Sequence, residues 1–292
     1  MRWVLRFLGV LLVLVVVSLA VIWLLSGRAL GARFDVTPEA VTIPTDSAAL
    51  ARGQHLGTAI GKCVDCHGMD LSGQAMAMGP VGTFTARNLT SGKGGLGDRS
   101  DADWVRSIRH GVAPDGRPLL FMPSRVYAAL SNADLGALIA WVKSMPPVDN
   151  ELPATRVGPI GRVMLATAPE RLISAGLVDH AAPIPAAIPP GPTPEYGRYL
   201  AVSGGCTFCH RDDLTGGLKD GPPGTPLSAN LTQAGPLGTW TQADFARALR
   251  DGVRPDGSAI NPFMPWRLTR LMTDEEIAAV WAYLKTVGGV RR

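Results

Sequence analysis

The first clear pattern along the chain is an apolar run over residues 7–25 that carries no charge. It predicts a helix long enough to cross a bilayer. A cleavable signal peptide is the competing reading. Its apolar core would be shorter, and a small-residue cleavage site should follow. Ala29-Leu30-Gly31-Ala32 is a weak match to such a site. Length favours an uncleaved anchor over residues 1–26, with a tether over 27–46. Further on, apolar positions recur at helical spacing. Leu135, Leu138, Ile139 and Val142 form one stripe, and Ile277, Val280, Trp281 and Leu284 form a second. Stripes of this kind are core faces. Ser131 and Thr273 precede them as N-caps. Two other helices are predicted to start after Ser100 and Thr241, each with an acid three residues on, and to stop near Gly111 and Gly252. Residues 49–60 and 195–202 predict one more helix in each half.

These parallels are an internal repeat. Asn88-Leu89-Thr90 recurs as Asn230-Leu231-Thr232. The segment from Gly111 to Gly116 recurs from Gly252 to Gly257, each with a Pro-Asp-Gly turn. Met122-Pro123 recurs as Met264-Pro265, and the offset stays between 141 and 143 residues throughout. One mostly helical unit has been duplicated. The units are expected over residues 47–145 and 195–292. The segment between them, 146–194, holds 11 of the 24 prolines and reads as a semi-stiff linker in which residues 160–177 could form a short helical piece.

Composition narrows the function. The net charge is +4, and residues 195–292 carry 11 basic and 10 acidic side chains. Neither forms a nucleic-acid-binding stripe.

The chemistry lies in the four cysteines. All belong to two pentapeptides, Cys63-Val64-Asp65-Cys66-His67 and Cys206-Thr207-Phe208-Cys209-His210. Cys-x-x-Cys-His is the attachment signature of c-type haem. Two thiols at that spacing can both add to the haem vinyl groups, and the next residue sets an imidazole against the iron. A zinc site normally needs four ligands, and each motif offers three. A redox Cys-x-x-Cys usually follows a strand in a βαβ unit, a pattern absent here. Two covalent haem c groups are therefore expected. In bacteria such attachment takes place outside the cytoplasmic membrane, which puts the globular part in the periplasm with residues 7–25 in the lipid bilayer.

His67 and His210 supply one axial ligand each. Met122 and Met264 are the candidates for the other, because they stand at equivalent repeat positions 55 and 54 residues downstream, each held by a proline. Core filler is the bland alternative for any single methionine. Met69, Met76 and Met78 lack counterparts near Cys209. His110 is a rival ligand whose equivalent is Asp251, and a helix C-terminus suits it better. His55 and His180 do not recur and read as surface or linker residues. A carbonyl near Gly79-Pro80 or Gly221-Pro222 is expected to accept the imidazole Nδ1–H. Trp104 and Phe245 either cover a haem edge or are ordinary core aromatics.

A histidine and a distant methionine between a first and last helix resemble the class I cytochrome c domain, over about residues 47–145 and 195–287. The fold expected is all-α: an N-terminal transmembrane helix, then two tandem class I domains joined by the Pro-rich linker. The Asn-Leu-Thr segment, the Gly-Val-x-Pro-Asp-Gly turn and the Met-Pro loop are similar to those of cytochrome subunits serving periplasmic alcohol, aldehyde or nicotinate-type dehydrogenases. Those subunits commonly carry three haems, where this chain has two motifs. The resemblance implies an electron carrier, not an enzyme. Its partners would be a dehydrogenase, a soluble cytochrome or a terminal oxidase. A diheme c-type peroxidase is the alternative, and it would need an iron that opens to substrate.

Overall fold

A computed structural model describes residues 1–219 and 224–288. The apolar run lies within α1 (Arg2–Gly31), a 30-residue helix with a mean hydropathy of 3.1 over its most apolar window, long and apolar enough to cross a membrane. Its side chains are exposed except near the C-terminal end, where Ser26 is buried.

The first half contains α2 (Ser47–His55), which continues into a π-helical turn over Leu56–Ile60, then the one-turn α3 (Cys63–His67). Strands β1 (Gln74–Ala77) and β2 (Gly82–Ala86) follow, then α4 (Asp101–His110), α5 (Ser124–Tyr127) and α6 (Asn132–Ser144). Between the halves lie β3 (Arg156–Val157) and α7 (Pro159–Thr167). The second half repeats the helical series as α8 (Pro194–Ser203), α9 (Cys206–His210), α10 (Gln242–Asp251), α11 (Trp266–Thr269) and α12 (Asp274–Thr286).

The predicted caps form. Ser100 and Thr241 each accept from the amide three residues on and receive the Asp103 or Asp244 carboxylate in return. This reciprocal box satisfies two amides that the first helical turn leaves free. Gly111 and Gly252 end α4 and α10 at φ 67° and 66°, a conformation glycine adopts without steric cost. In each half the first helix crosses the last at very short range. A Cβ on Gly53 would stand 2.0 Å from the Ala137 carbonyl oxygen, and one on Gly197 would stand 1.9 Å from that of Ala279.

Two features depart from the expected plan. The first half is not purely helical: β1 and β2 pair antiparallel within it, and β3 from the connecting segment adds a third strand, with Gly82 paired to Val157 and Thr83 to Arg156. The proline-rich segment is also not free along its length. It contributes β3, and α7 packs against the end of α1, with the Arg162 guanidinium 3.7 Å over the Trp23 ring and donating to Ser26 Oγ at 3.1 Å. A small second core there joins Phe84, Leu165, Leu172 and Ile173 to Leu30 and Phe34. Prolines bar a long helix but not packing of short pieces.

The main core is continuous across both halves. Leu56, Ile60, Trp104, Leu138 and Trp141 belong to the same buried cluster as Leu200, Phe245, Val280, Trp281 and Leu284. The halves form one packed body.

Candidate haem sites

The two pentapeptides fold alike. Each is a single helical turn entered through a left-handed residue, Lys62 or Gly205, and left through another positive-φ residue, Gly68 or Arg211. The chain then doubles back: the Gly73 amide donates to His67 O, and the Gly216 amide donates to His210 O. Leu71 and Leu214, both fully buried at positive φ, anchor the return.

The orientation of each imidazole follows from one hydrogen bond. His67 Nδ1 lies 2.8 Å from Arg87 O, and His210 Nδ1 lies 2.7 Å from Ala229 O. A carbonyl can only accept, so Nδ1 carries the proton and Nε2 keeps its lone pair for a metal. Burial pushes both histidines below their usual pKa against the pull of the carbonyl. Both are neutral at pH 7, the form that binds metals.

The orienting carbonyl therefore belongs to the residue before each Asn-Leu-Thr segment and not, in the first half, to Gly79-Pro80. Gly221-Pro222 lies outside the described residues. The repeat already held the signal. Asn88 and Asn230 each accept the amide two residues on through Oδ1, and Leu89 and Leu231 donate to Leu71 O and Leu214 O. These bonds fix a turn that aims the preceding carbonyl at the histidine.

Cys63, Cys206, Met122 and Met264 pack against the shared core, each partly buried. The methionine loops match: Ser124 N donates to Met122 O and Trp266 N to Met264 O, with Pro123 and Pro265 at nearly equal φ and ψ. Among the described residues Trp266 Nε1 is buried with no acceptor, a donor that a haem carboxylate would satisfy. Burial pushes the Cys63 thiol up to about 12 and raises Cys66 and Cys206 as well. Redox thiols are tuned in the opposite direction. Paired thiols, neutral imidazoles with a free Nε2 and an unsatisfied indole fit covalently held haem.

Trp104 and Phe245 are buried in the same core that the cysteines and methionines border, and Phe245 packs on Trp281 at 5.4 Å between ring centres. His55 is not a surface residue; its Nε2 lies 2.8 Å from Glu276 Oε2 at the junction of the halves. His180 leaves the linker to meet His110, Nδ1 to Nδ1 at 3.0 Å, beside Glu39 and buried Arg109. Neither partnership could be read from the repeat, because each joins segments that do not recur.

Residues 194–288 match the family model for cytochrome c, and residues 48–142 match that for the cbb3-type cytochrome c oxidase subunit III. The chain is 29% identical over 271 residues to the gluconate 2-dehydrogenase cytochrome c subunit of Pantoea cypripedii, covering 83% of this chain and 60% of that protein. It is 33% identical over 103 residues to the fructose dehydrogenase cytochrome subunit of Gluconobacter japonicus, covering 32% of this chain and 21% of the relative. It is 38% identical over 94 residues to the cytochrome c subunit of alcohol dehydrogenase (quinone) of Gluconacetobacter polyoxogenes, covering 30% of this chain and 20% of the relative. The matches thus span at most about three fifths of these relatives' lengths.

Proposed function

We propose that this chain, which carries two cytochrome c domains and is homologous to cytochrome subunits of dehydrogenases, relays electrons through two covalent haems from a membrane-associated dehydrogenase to a downstream acceptor. The observation that carries the reading is the matched pair of imidazoles, each with Nδ1 tied to a backbone carbonyl and Nε2 without a partner among the described residues. A haem bound there supplies a one-electron Fe(III)/Fe(II) couple. Cys63, Cys66, Cys206 and Cys209 would hold it as thioether anchors, and His67 and His210 would offer it an imidazole nitrogen. Met122 and Met264 would offer thioether sulfur, which favours the reduced state. The shared core holds the two halves, and with them the two motifs, in fixed relation.

The anchor reading gains support from the docking of α7 on the end of α1. Residues 23–36 are built into the fold instead of trailing from it, as a segment awaiting cleavage would. Haem attachment outside the cytoplasmic membrane puts the globular part in the periplasm, and tethering raises its local concentration beside membrane partners.

A pyridine haemochrome assay on the full chain in mild detergent should return two covalent haems. A single haem, or one extractable by acid acetone, would end the proposal. Affinity purification of the same sample should co-isolate a dehydrogenase.

A further inference from the structure

The two haem motifs are entered through equivalent backbone positions occupied by different residues. Gly205 leads into Cys206 at φ 77° and ψ 15°. Lys62 leads into Cys63 at φ 53° and ψ 37°. Glycine takes this left-handed conformation freely, and a residue with a Cβ is strained there. The duplicated half shows that glycine serves the turn. Lysine at that position calls for a separate reason.

Its side chain supplies one. Lys62 Nζ donates to Ile60 O at 2.8 Å and, across the junction of the halves, to Gly204 O at 2.8 Å. Among the described residues both acceptors are neutral carbonyls, so the ammonium is solvated by the protein without a direct ion pair. The carbonyls belong to the segments that run directly into Cys63 and Cys206. Tyr127 fixes the first of these by donating from its hydroxyl to Gly61 O at 2.8 Å. Burial lowers the Lys62 pKa from its ordinary value, while the nearby Cys206 and Asp65 act to raise it and favour the ammonium. One positive charge therefore sits between the two attachment sites, in a part-buried setting where water screens it less than at the surface.

Reducing an iron adds one electron, and a fixed positive charge nearby favours that state. We propose that the Lys62 ammonium, pinned between the two haem-attachment segments, is a shared charge that raises the reduction potential of both haems. It would be a positioning charge common to the relay, placed by a strained backbone that the duplicate unit avoids.

The proposal rests on the two-haem reading, so haem content is measured in every variant by pyridine haemochrome. Redox titrations of the full chain in mild detergent, followed by visible absorbance, then compare wild type with Lys62→Gln, Lys62→Gly and Lys62→Arg. With two haems present, Lys62→Gln and Lys62→Gly should lower the reduction equilibrium constant of each haem about threefold to tenfold, tenfold being 59 mV for one electron. Lys62→Arg should stay near wild type. Lys62→Gly also relieves the backbone strain, so its melting temperature should exceed that of Lys62→Gln while its potentials match. Two haems with unchanged potentials, a shift at one haem only, or a change in melting temperature alone would overturn the proposal. A haem count other than two would instead overturn the function on which it rests.

Discussion

At the scale of single residues, the chemistry depends on which atoms remain free once the backbone has made its bonds. His67 and His210 are fixed by carbonyls from Arg87 and Ala229, so their tautomers are decided before any metal arrives. The sixth ligands are carried by matched loops whose prolines hold the backbone. Replacing Met122 or Met264 by alanine should lower one midpoint potential and open that iron to carbon monoxide in the dithionite-reduced protein. The other haem should titrate as in wild type. A variant with both potentials unaltered and no carbon monoxide spectrum would remove that methionine from the ligand set.

At the scale of elements, each half is held by the crossing of its first and last helices. The approach is close enough that a methyl group has no room. Gly53 faces the Ala137 carbonyl and the Trp141 Cβ; Gly197 faces the Ala279 carbonyl and the Tyr283 Cβ. The contacts at under 3 Å are with backbone or Cβ atoms, so relief would require the helices to part. Gly197→Ala should therefore destabilise the protein by about 1–3 kcal/mol, as overpacking of a dense core does. Urea unfolding followed by far-ultraviolet circular dichroism would measure it. Gly27→Ala in α1, where the added Cβ meets nothing within 4 Å, is the matched control and should leave the midpoint in place. The apolar stripes of α6 and α12 announced these helices in the sequence. The glycines opposite them gave no such notice, because helical spacing reveals a buried face but not how near its partner lies.

At the scale of the whole molecule, a charged network at the pseudo-symmetric junction ties the halves together. Asp134 and Glu276 hold equivalent positions in the first turns of α6 and α12. Arg52 reaches both, at 2.9 Å and 3.3 Å, and His55 adds a second contact to Glu276. Tyr199 links the halves again by donating to Asp134 Oδ2 at 2.7 Å. Burial pushes the Glu276 carboxyl up. The hydrogen bonds of His55 and the Thr273 amide, with the charges of His55 and Arg52, outweigh it and hold the carboxyl below the usual 4.5. The folded state therefore binds fewer protons there than the unfolded chain. This stabilisation is complete above about pH 4.5 and is lost as the pH falls through the lower folded value. Glu276→Gln should cost about 2 kcal/mol at pH 7. It should also flatten the loss of stability below pH 4.5, as seen in thermal melts between pH 3 and pH 7. A variant as acid-sensitive as wild type would remove Glu276 from the junction's pH response.

Much of this protein was legible in its residue order. The haem motifs, the duplication, the helix caps and the paired Met-Pro loops all depend on neighbours a few residues apart or on a repeat, and local chemistry is written locally. The helical series and its bounds followed within a few residues. Two things were decided only by the fold: the docking of the proline-rich segment on α1 and the closure of both halves over one core. Each joins segments far apart in the chain through contacts that no spacing rule encodes. The Lys62 bond to Gly204 spans 142 residues, and only the packing of one unit against its duplicate brings that lysine between the two attachment sites.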